Sequence, residues 1–208
     1  ALYERFGVEP LPKLRGAFSL LIFNRSTRRL FAAVDRFGMH TLVYSAGQDI
    51  FAIASRIDAL LRTGEVGRDT DPRALARYLN FTVNLGPDTT FRAVKRLLPG
   101  TSLTRDASGS VTVRTWWDMQ YTSSRRADEN ALAREMETVV AESVAAHCDN
   151  VDDFGSVGAF LSGGTDSSTV TGLMKRTGRG AVKTFSIGFA EERFNELEYA
   201  RITARHFG

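Results

Sequence analysis

The spacing of apolar residues changes once along this chain of 208 residues, across the polar stretch 120–127 (QYTSSRRA), and that change constrains the fold more than any single motif. Upstream, apolar residues come in short runs separated by tight turns. Residues 17–23 (AFSLLIF) and 30–34 (LFAAV) flank the turn NRSTRR, and Leu42-Val43-Tyr44 and residues 50–54 (IFAIA) flank Ala46-Gly47-Gln48-Asp49. A last pair, residues 102–104 and 111–113, follows the turn Pro99-Gly100 and flanks Asp106-Ala107-Ser108-Gly109. Consecutive runs of this kind read as antiparallel hairpins. Their continuous apolar character predicts a sheet buried on both faces, with Phe18, Phe23, Phe31 and Phe51 in the core. Two short helices fit among them, one over 56–61 capped by Ser55 and one opened by Asp71-Pro72. Trp116-Trp117 is expected at the junction between domains.

Downstream the period lengthens. Asp128 is placed to cap a long helix whose apolar positions Leu132, Met136, Val139, Val140 and Val144 fall at helical spacing. A strand over 156–161, a loop over 162–168, a helix over 168–176, a strand over 182–189 and a helix over 195–206 then follow. Such βαβα alternation predicts a parallel sheet with helices on its faces. The polar stretch 120–127 reads as an interdomain linker.

Composition narrows the class of protein. Lys+Arg 27 against Asp+Glu 24, closely interleaved, argues against a nucleic-acid surface. The apolar runs are too short to span a bilayer, and a single cysteine, Cys148, excludes an internal disulfide. The expected protein is cytoplasmic, with no membrane or nucleic-acid partner. His40, His147 and His206 show no metal-ligand spacing and read as structural or surface residues, so no protein-built metal site is expected.

The stretch 158–169 (GAFLSGGTDSST) joins the first downstream strand to its helix. A helix N-terminus leaves backbone N–H groups unpaired and favours an anion. Gly163 and Gly164 let the backbone approach that anion, and Ser162, Ser167 and Ser168 add hydroxyl donors. The position, at the C-terminal end of a parallel strand, is where open α/β sheets bind ligands. No lysine follows the glycines, so this is not a Walker-A loop, and metal ions would have to neutralise a bound triphosphate. Asp166 is either the helix cap or an indirect partner of the metal. The residues alone leave a phosphate cradle and a plain capped turn both open. Asn195-Glu196, just after the second strand, could approach a nucleotide or simply begin a solvated helix.

Ser162-Gly163-Gly164-Thr165-Asp166-Ser167 resembles the SGGxDS motif of PP-loop ATP-pyrophosphatases. Together with Thr184-Phe185-Ser186-Ile187-Gly188-Phe189, it is similar to the glutamine-hydrolysing asparagine synthetases. Upstream, residues 13–19 (KLRGAFS), Asp35-Arg36-Phe37-Gly38, Leu97-Leu98-Pro99-Gly100 and Trp117-Asp118 resemble the second half of that family's glutaminase domain, in the same order. The resemblance implies an α+β antiparallel glutaminase-type half-sandwich over 1–119, a linker over 120–127, and an α/β parallel-sheet PP-loop domain of the adenine nucleotide α hydrolase type over 128–208, both domains incomplete. It implies Mg-ATP, with Ser162, Gly163, Gly164, Asp166 and Ser167 on the β- and γ-phosphates and the main chain at Leu161 and Ile187 flanking adenine and ribose. Aspartate would be adenylated on its side-chain carboxylate and amidated by ammonia drawn from glutamine. A homodimer is expected of the full-length form.

The departures are as informative. The family's nucleophile is an N-terminal cysteine, whereas this sequence begins at Ala1 and its one thiol, Cys148, lies on the long downstream helix. Val34 stands before Asp35 where the family has arginine, and Thr41 and Ser156 stand where it has proline. No catalytic residue is therefore assigned, and the chain is expected to be an inactive piece of a longer enzyme. The alternatives are a degenerate nucleotide-binding module, or a related amide-forming enzyme such as a β-lactam synthetase.

Overall fold

The computed structural model describes residues 11–47, 50–121, 128–149, 151 and 153–208. The chain divides into two units, 1–121 and 122–208. Most of the polar stretch between the two patterns, residues 122–127, lies outside the described residues, as do Gln48 and Asp49 of the second expected turn.

The first unit holds two antiparallel sheets where one was expected. Strands β1 (Ser19–Asn24), β2 (Arg29–Val34), β6 (Thr101–Arg105) and β7 (Val111–Thr115) form one, in the order β1-β2-β6-β7. Strands β3 (Leu42–Ala46), β4 (Phe51–Ala54) and β5 (Lys95–Leu97) form the other, in the order β4-β3-β5. The two-residue side-chain period distributes β2 between two cores. Ala32 and Val34 join Leu42, Leu97 and Leu103 between the sheets. Phe31 and Ala33 face the other way, onto Leu11, Leu14, Phe18, Leu20, Ile22 and Trp116. Helix α1 (Ile57–Arg62) covers the outer face of the second sheet through Leu60, which packs with Val43, Val66 and Val94.

The expected two-faced burial fails at β1. Leu21 and Phe23 are 50% and 57% exposed, although Phe18, Phe31 and Phe51 all contribute to cores. Leu21 pairs with Ala32 and Phe23 with Leu30, so both lie on the inter-sheet face, yet no β1 residue enters that core. β1 is an edge strand, and the three-stranded second sheet does not cover it. Trp116 packs inside this unit, stacked on Phe18 with centroids 6.2 Å apart.

Helix α1 begins at Ile57, one residue later than expected. Arg56 is in extended conformation at its N-cap, and Ser55 does not cap it. Helix α2 (Pro72–Phe81) starts as anticipated, with Asp71 accepting the Arg73 N–H at 2.9 Å.

The second unit comprises α3 (Glu129–Asp149), β8 (Gly158–Phe160), α4 (Thr165–Arg176), β9 (Lys183–Phe185) and α5 (Leu197–Phe207). β8 and β9 pair in parallel, with Ala159 opposite Thr184. Asp128 caps α3 by accepting the Ala131 N–H at 3.1 Å. Only the C-terminal part of α3 reaches the core, where Val144 and Cys148 meet Phe154, Ala159 and Met174. Leu132, Met136 and Val139 are exposed despite their spacing. Twenty-one residues extend about 31 Å at 1.5 Å each, and the 12-residue α4 covers only part of that length. Among the described residues no helix is long and apolar enough to cross a membrane.

Candidate functional site

β8 and β9 are shorter than their apolar runs because the ladder ends where the site opens. The Leu161 N–H donates to Phe185 O at 2.9 Å, and the Ser186 hydroxyl donates to Leu161 O at 2.6 Å. The paired register of the two strands ends here, at Phe160 opposite Phe185. The chain then turns at Gly163, whose φ of +85° lies in the left-handed region. A Cβ there would stand 2.4 Å from the Tyr199 carbonyl carbon and 2.6 Å from the Ala200 nitrogen. The glycine is thus demanded by the backbone of α5 packed on the loop, a reason the sequence did not suggest.

α4 begins at Thr165, three residues earlier than expected, with extended Gly164 at the N-cap and no side-chain cap. Asp166 therefore sits in the first turn and is not the cap. The first intrahelical bond runs from the Ser168 N–H to Gly164 O, at 3.0 Å. The amides of Thr165, Asp166 and Ser167 precede it, lack intrahelical partners and suit an anion. The Ser162 and Ser167 hydroxyls lie 3.1 Å apart, and Ser162 Oγ accepts the Gly164 N–H at 3.3 Å. The Ser168 hydroxyl contacts Thr203 Oγ1 on α5 at 3.1 Å, so it ties two helices together and does not line the loop's cavity.

Leu161, Ser162, Ser167 and Ile187 line one cavity of about 310 Å³, with Phe185, Ser186, Phe189, Glu196, Leu197 and Ala200 among the other walls. That size is at the lower end of small-molecule sites. Gly163 and Gly164 form the turn beside it. Asp166 is separated from this group: it lines a second cavity, of about 510 Å³, with His147, Cys148, Val170 and Met174, and Ser167 touches both. Glu196 proves to be a wall residue, while Asn195 Oδ1 accepts the Leu197 N–H at 3.3 Å at the start of α5. Ser186 was not singled out from the sequence. Its signal was only its place at the end of the second parallel strand.

Elsewhere, Asp35 is buried at the turn after β2 and accepts four backbone N–H groups. Phe37 and Met39 donate to Oδ1 at 2.9 and 3.3 Å, and Phe18 and His40 to Oδ2 at 3.2 and 3.4 Å. Burial alone would raise its pKa, but these four bonds together hold it below the ordinary carboxylate value. The neighbouring Arg36 guanidinium donates to Leu14 O and Pro12 O and lies over both Trp116 and Trp117. Cys148 is buried, and burial pushes its thiol pKa up, against a smaller opposing pull from Arg179.

Comparison with known proteins fits both halves. A glutamine amidotransferase domain model matches residues 1–117, and an asparagine synthase model matches residues 135–208. Asparagine synthetase (glutamine-hydrolyzing) 1 of Bacillus subtilis is 32% identical over 208 residues, covering 100% of this chain and 32% of that protein. A Mycobacterium bovis protein named "Putative asparagine synthetase (glutamine-hydrolyzing)" is 36% identical over 213 residues, covering 99% of this chain and 32% of its own length. A more distant relative, amidase chyE of Penicillium rubens, is 27% identical over 175 residues, covering 84% of this chain and 25% of its own. The chain spans about a third of the length of the asparagine synthetases it matches. The amidotransferase model covers more than half of the chain, with the asparagine synthase model following in order, so the chain belongs to the glutamine amidotransferase domain family.

Proposed function

We propose that this chain is part of an ATP-dependent asparagine synthetase, with glutaminase-type structure over 1–119, a linker over 120–127 and a PP-loop nucleotide domain over 128–208. One observation carries this reading: Leu161, Ser162, Ser167 and Ile187, from two parallel strand ends and the first turn of α4, line a single cavity. The first-turn amides of α4 and the Ser162 and Ser167 hydroxyls would donate to the β- and γ-phosphates of ATP. The main chain at Leu161 and Ile187 would flank adenine and ribose. An oxygen of the aspartate side-chain carboxylate attacks the α-phosphorus as the bond to pyrophosphate breaks. Ammonia then attacks the acyl carbon and AMP departs. The loop lowers the barrier by stabilising charge that develops on pyrophosphate.

Mg²⁺ typically takes one or two carboxylates together with substrate phosphates. Asp166 is a carboxylate in the first turn of α4, and among the described residues no three His, Cys, Asp or Glu side chains gather to bind a metal alone. The ion would neutralise charge on the leaving group from the nucleotide's own phosphates, since Asp166 lines the neighbouring cavity, which meets the nucleotide cavity at Ser167. Glutamine hydrolysis needs a nucleophile that Cys148 does not supply, being buried on α3 with a raised pKa.

The test is pyrophosphate release from Mg-ATP by the longer enzyme of which this chain is part, with aspartate and ammonia supplied. Release that requires both substrates is expected. Release that ignores aspartate but responds to another carboxylate would move the acceptor, and no ATP turnover or binding would refute the nucleotide reading.

A further inference from the structure

The phosphate loop assigns no task to Glu196, among the described residues the one ionisable side chain in the wall of its cavity. The other polar side chains there are engaged. The Ser186 hydroxyl donates to Leu161 O, and the Ser162 and Ser167 hydroxyls bond to each other and to Gly164. Glu196 begins α5 through its backbone, since its carbonyl accepts the Ala200 N–H at 3.1 Å. Its side chain makes no cap hydrogen bond and is exposed. A carboxylate offers acceptors only and repels phosphate, so its complement in a ligand is a neutral donor.

The position of Glu196 selects which donor. α5 touches the phosphate loop at Tyr199 and Ala200, whose backbone atoms stand against Gly163. Glu196 lies one helical turn from that contact, about 5 Å along the axis. In a nucleoside triphosphate the ribose is the first group bearing neutral donors beyond the phosphates, whereas the exocyclic amine of the base is a further ring system away. Ile187, Phe189 and Leu197 supply apolar wall for the base.

We propose that Glu196 accepts hydrogen bonds from the ribose hydroxyls of the bound nucleotide and makes the site selective for ribonucleotides. This inference rests on the reading of the cavity as a nucleotide site. The full chain, with Mg²⁺ present, is titrated calorimetrically with ATP and with 2′,3′-dideoxy-ATP, in the unmodified protein and in Glu196→Ala and Glu196→Gln. The unmodified chain is expected to bind ATP at least about tenfold more tightly than the dideoxy nucleotide, the worth of a hydrogen bond to a charged group. Glu196→Ala should weaken ATP by that factor and leave dideoxy-ATP within about twofold, while Glu196→Gln, whose amide oxygen still accepts, should retain part of the preference. The preference is a ratio within one protein, so a general loss of folded material does not mimic its collapse. If Glu196→Ala weakens both nucleotides equally, or leaves the preference intact, the inference is overturned while the nucleotide reading stands. If the unmodified chain binds neither nucleotide, both fall together.

Discussion

Replacing Asp35 with asparagine tests the acidic hub of the first unit. Each carboxylate oxygen accepts two backbone N–H groups, Phe37 and Met39 on Oδ1, Phe18 and His40 on Oδ2. An asparagine can turn its one oxygen to only one of these pairs. Its amide then confronts the other pair, donor against donor. Two orphaned amides at about 1 kcal/mol each, plus about 1 kcal/mol for each remaining bond that loses its charge assistance, give roughly 3–4 kcal/mol. A domain stability of about 5–15 kcal/mol makes that loss large but survivable. The chain's two tryptophans, Trp116 and Trp117, both lie beneath Arg36, next to Asp35, so their fluorescence reports unfolding of this unit. The urea midpoint at pH 7 should fall by about 2 M, given slopes of about 1–3 kcal/mol/M. The pH dependence follows from the lowered pKa. Asp35 binds protons less readily folded than unfolded, so its contribution is complete above the unfolded value of about 3.9 and disappears as pH falls through the lower folded value. Below both values the protonated acid resembles the amide, and the two proteins should converge in stability. A loss under about 1 kcal/mol at pH 7, or the same difference at pH 7 and in strong acid, would refute the hub.

Two further outcomes are expected. Gly163→Ala places a methyl 2.4 Å from backbone of α5 at a φ of +85°, whereas a Cβ at Gly164 comes no closer than 3.4 Å, to Ser162 Oγ. Gly163→Ala should therefore lower the thermal midpoint and cut pyrophosphate release by more than about tenfold, from left-handed strain of about 1–2 kcal/mol plus the collision; Gly164→Ala should keep its thermal midpoint, and equal midpoints for the two variants would count against the packing described. Cys148, buried and raised in pKa, should resist a thiol-exchange reagent at pH 8 and release one equivalent in denaturant, whereas rapid labelling of the native chain would contradict its burial.

Local chemistry made much of the architecture legible in advance. The hairpin pairings, the Asp71-Pro72 helix start and the parallel strand-loop-helix order all follow from residue spacing and turn composition. These features depend on neighbours a few residues apart, and such information is written in the chain. The apolar positions of α3 were equally regular, yet Leu132, Met136 and Val139 are exposed because periodicity defines a face without naming what covers it. Phe23 failed for the same reason, as burial on an edge strand depends on how far the opposite sheet extends.

The loop between β8 and α4 divides along that line. From its sequence alone came a glycine-hinged turn, three hydroxyls (of which the fold turns Ser168 away to Thr203) and a helix N-terminus suited to an anion, since each is a property of a few consecutive residues. Its early helix start, the demand of α5 for Gly163, the tie from Ser186 to Leu161 and the arrival of Glu196 at the cavity wall came only with the fold. Apart from the helix start, those contacts join residues about 25 to 37 positions apart, where packing and not local preference decides which side chains meet.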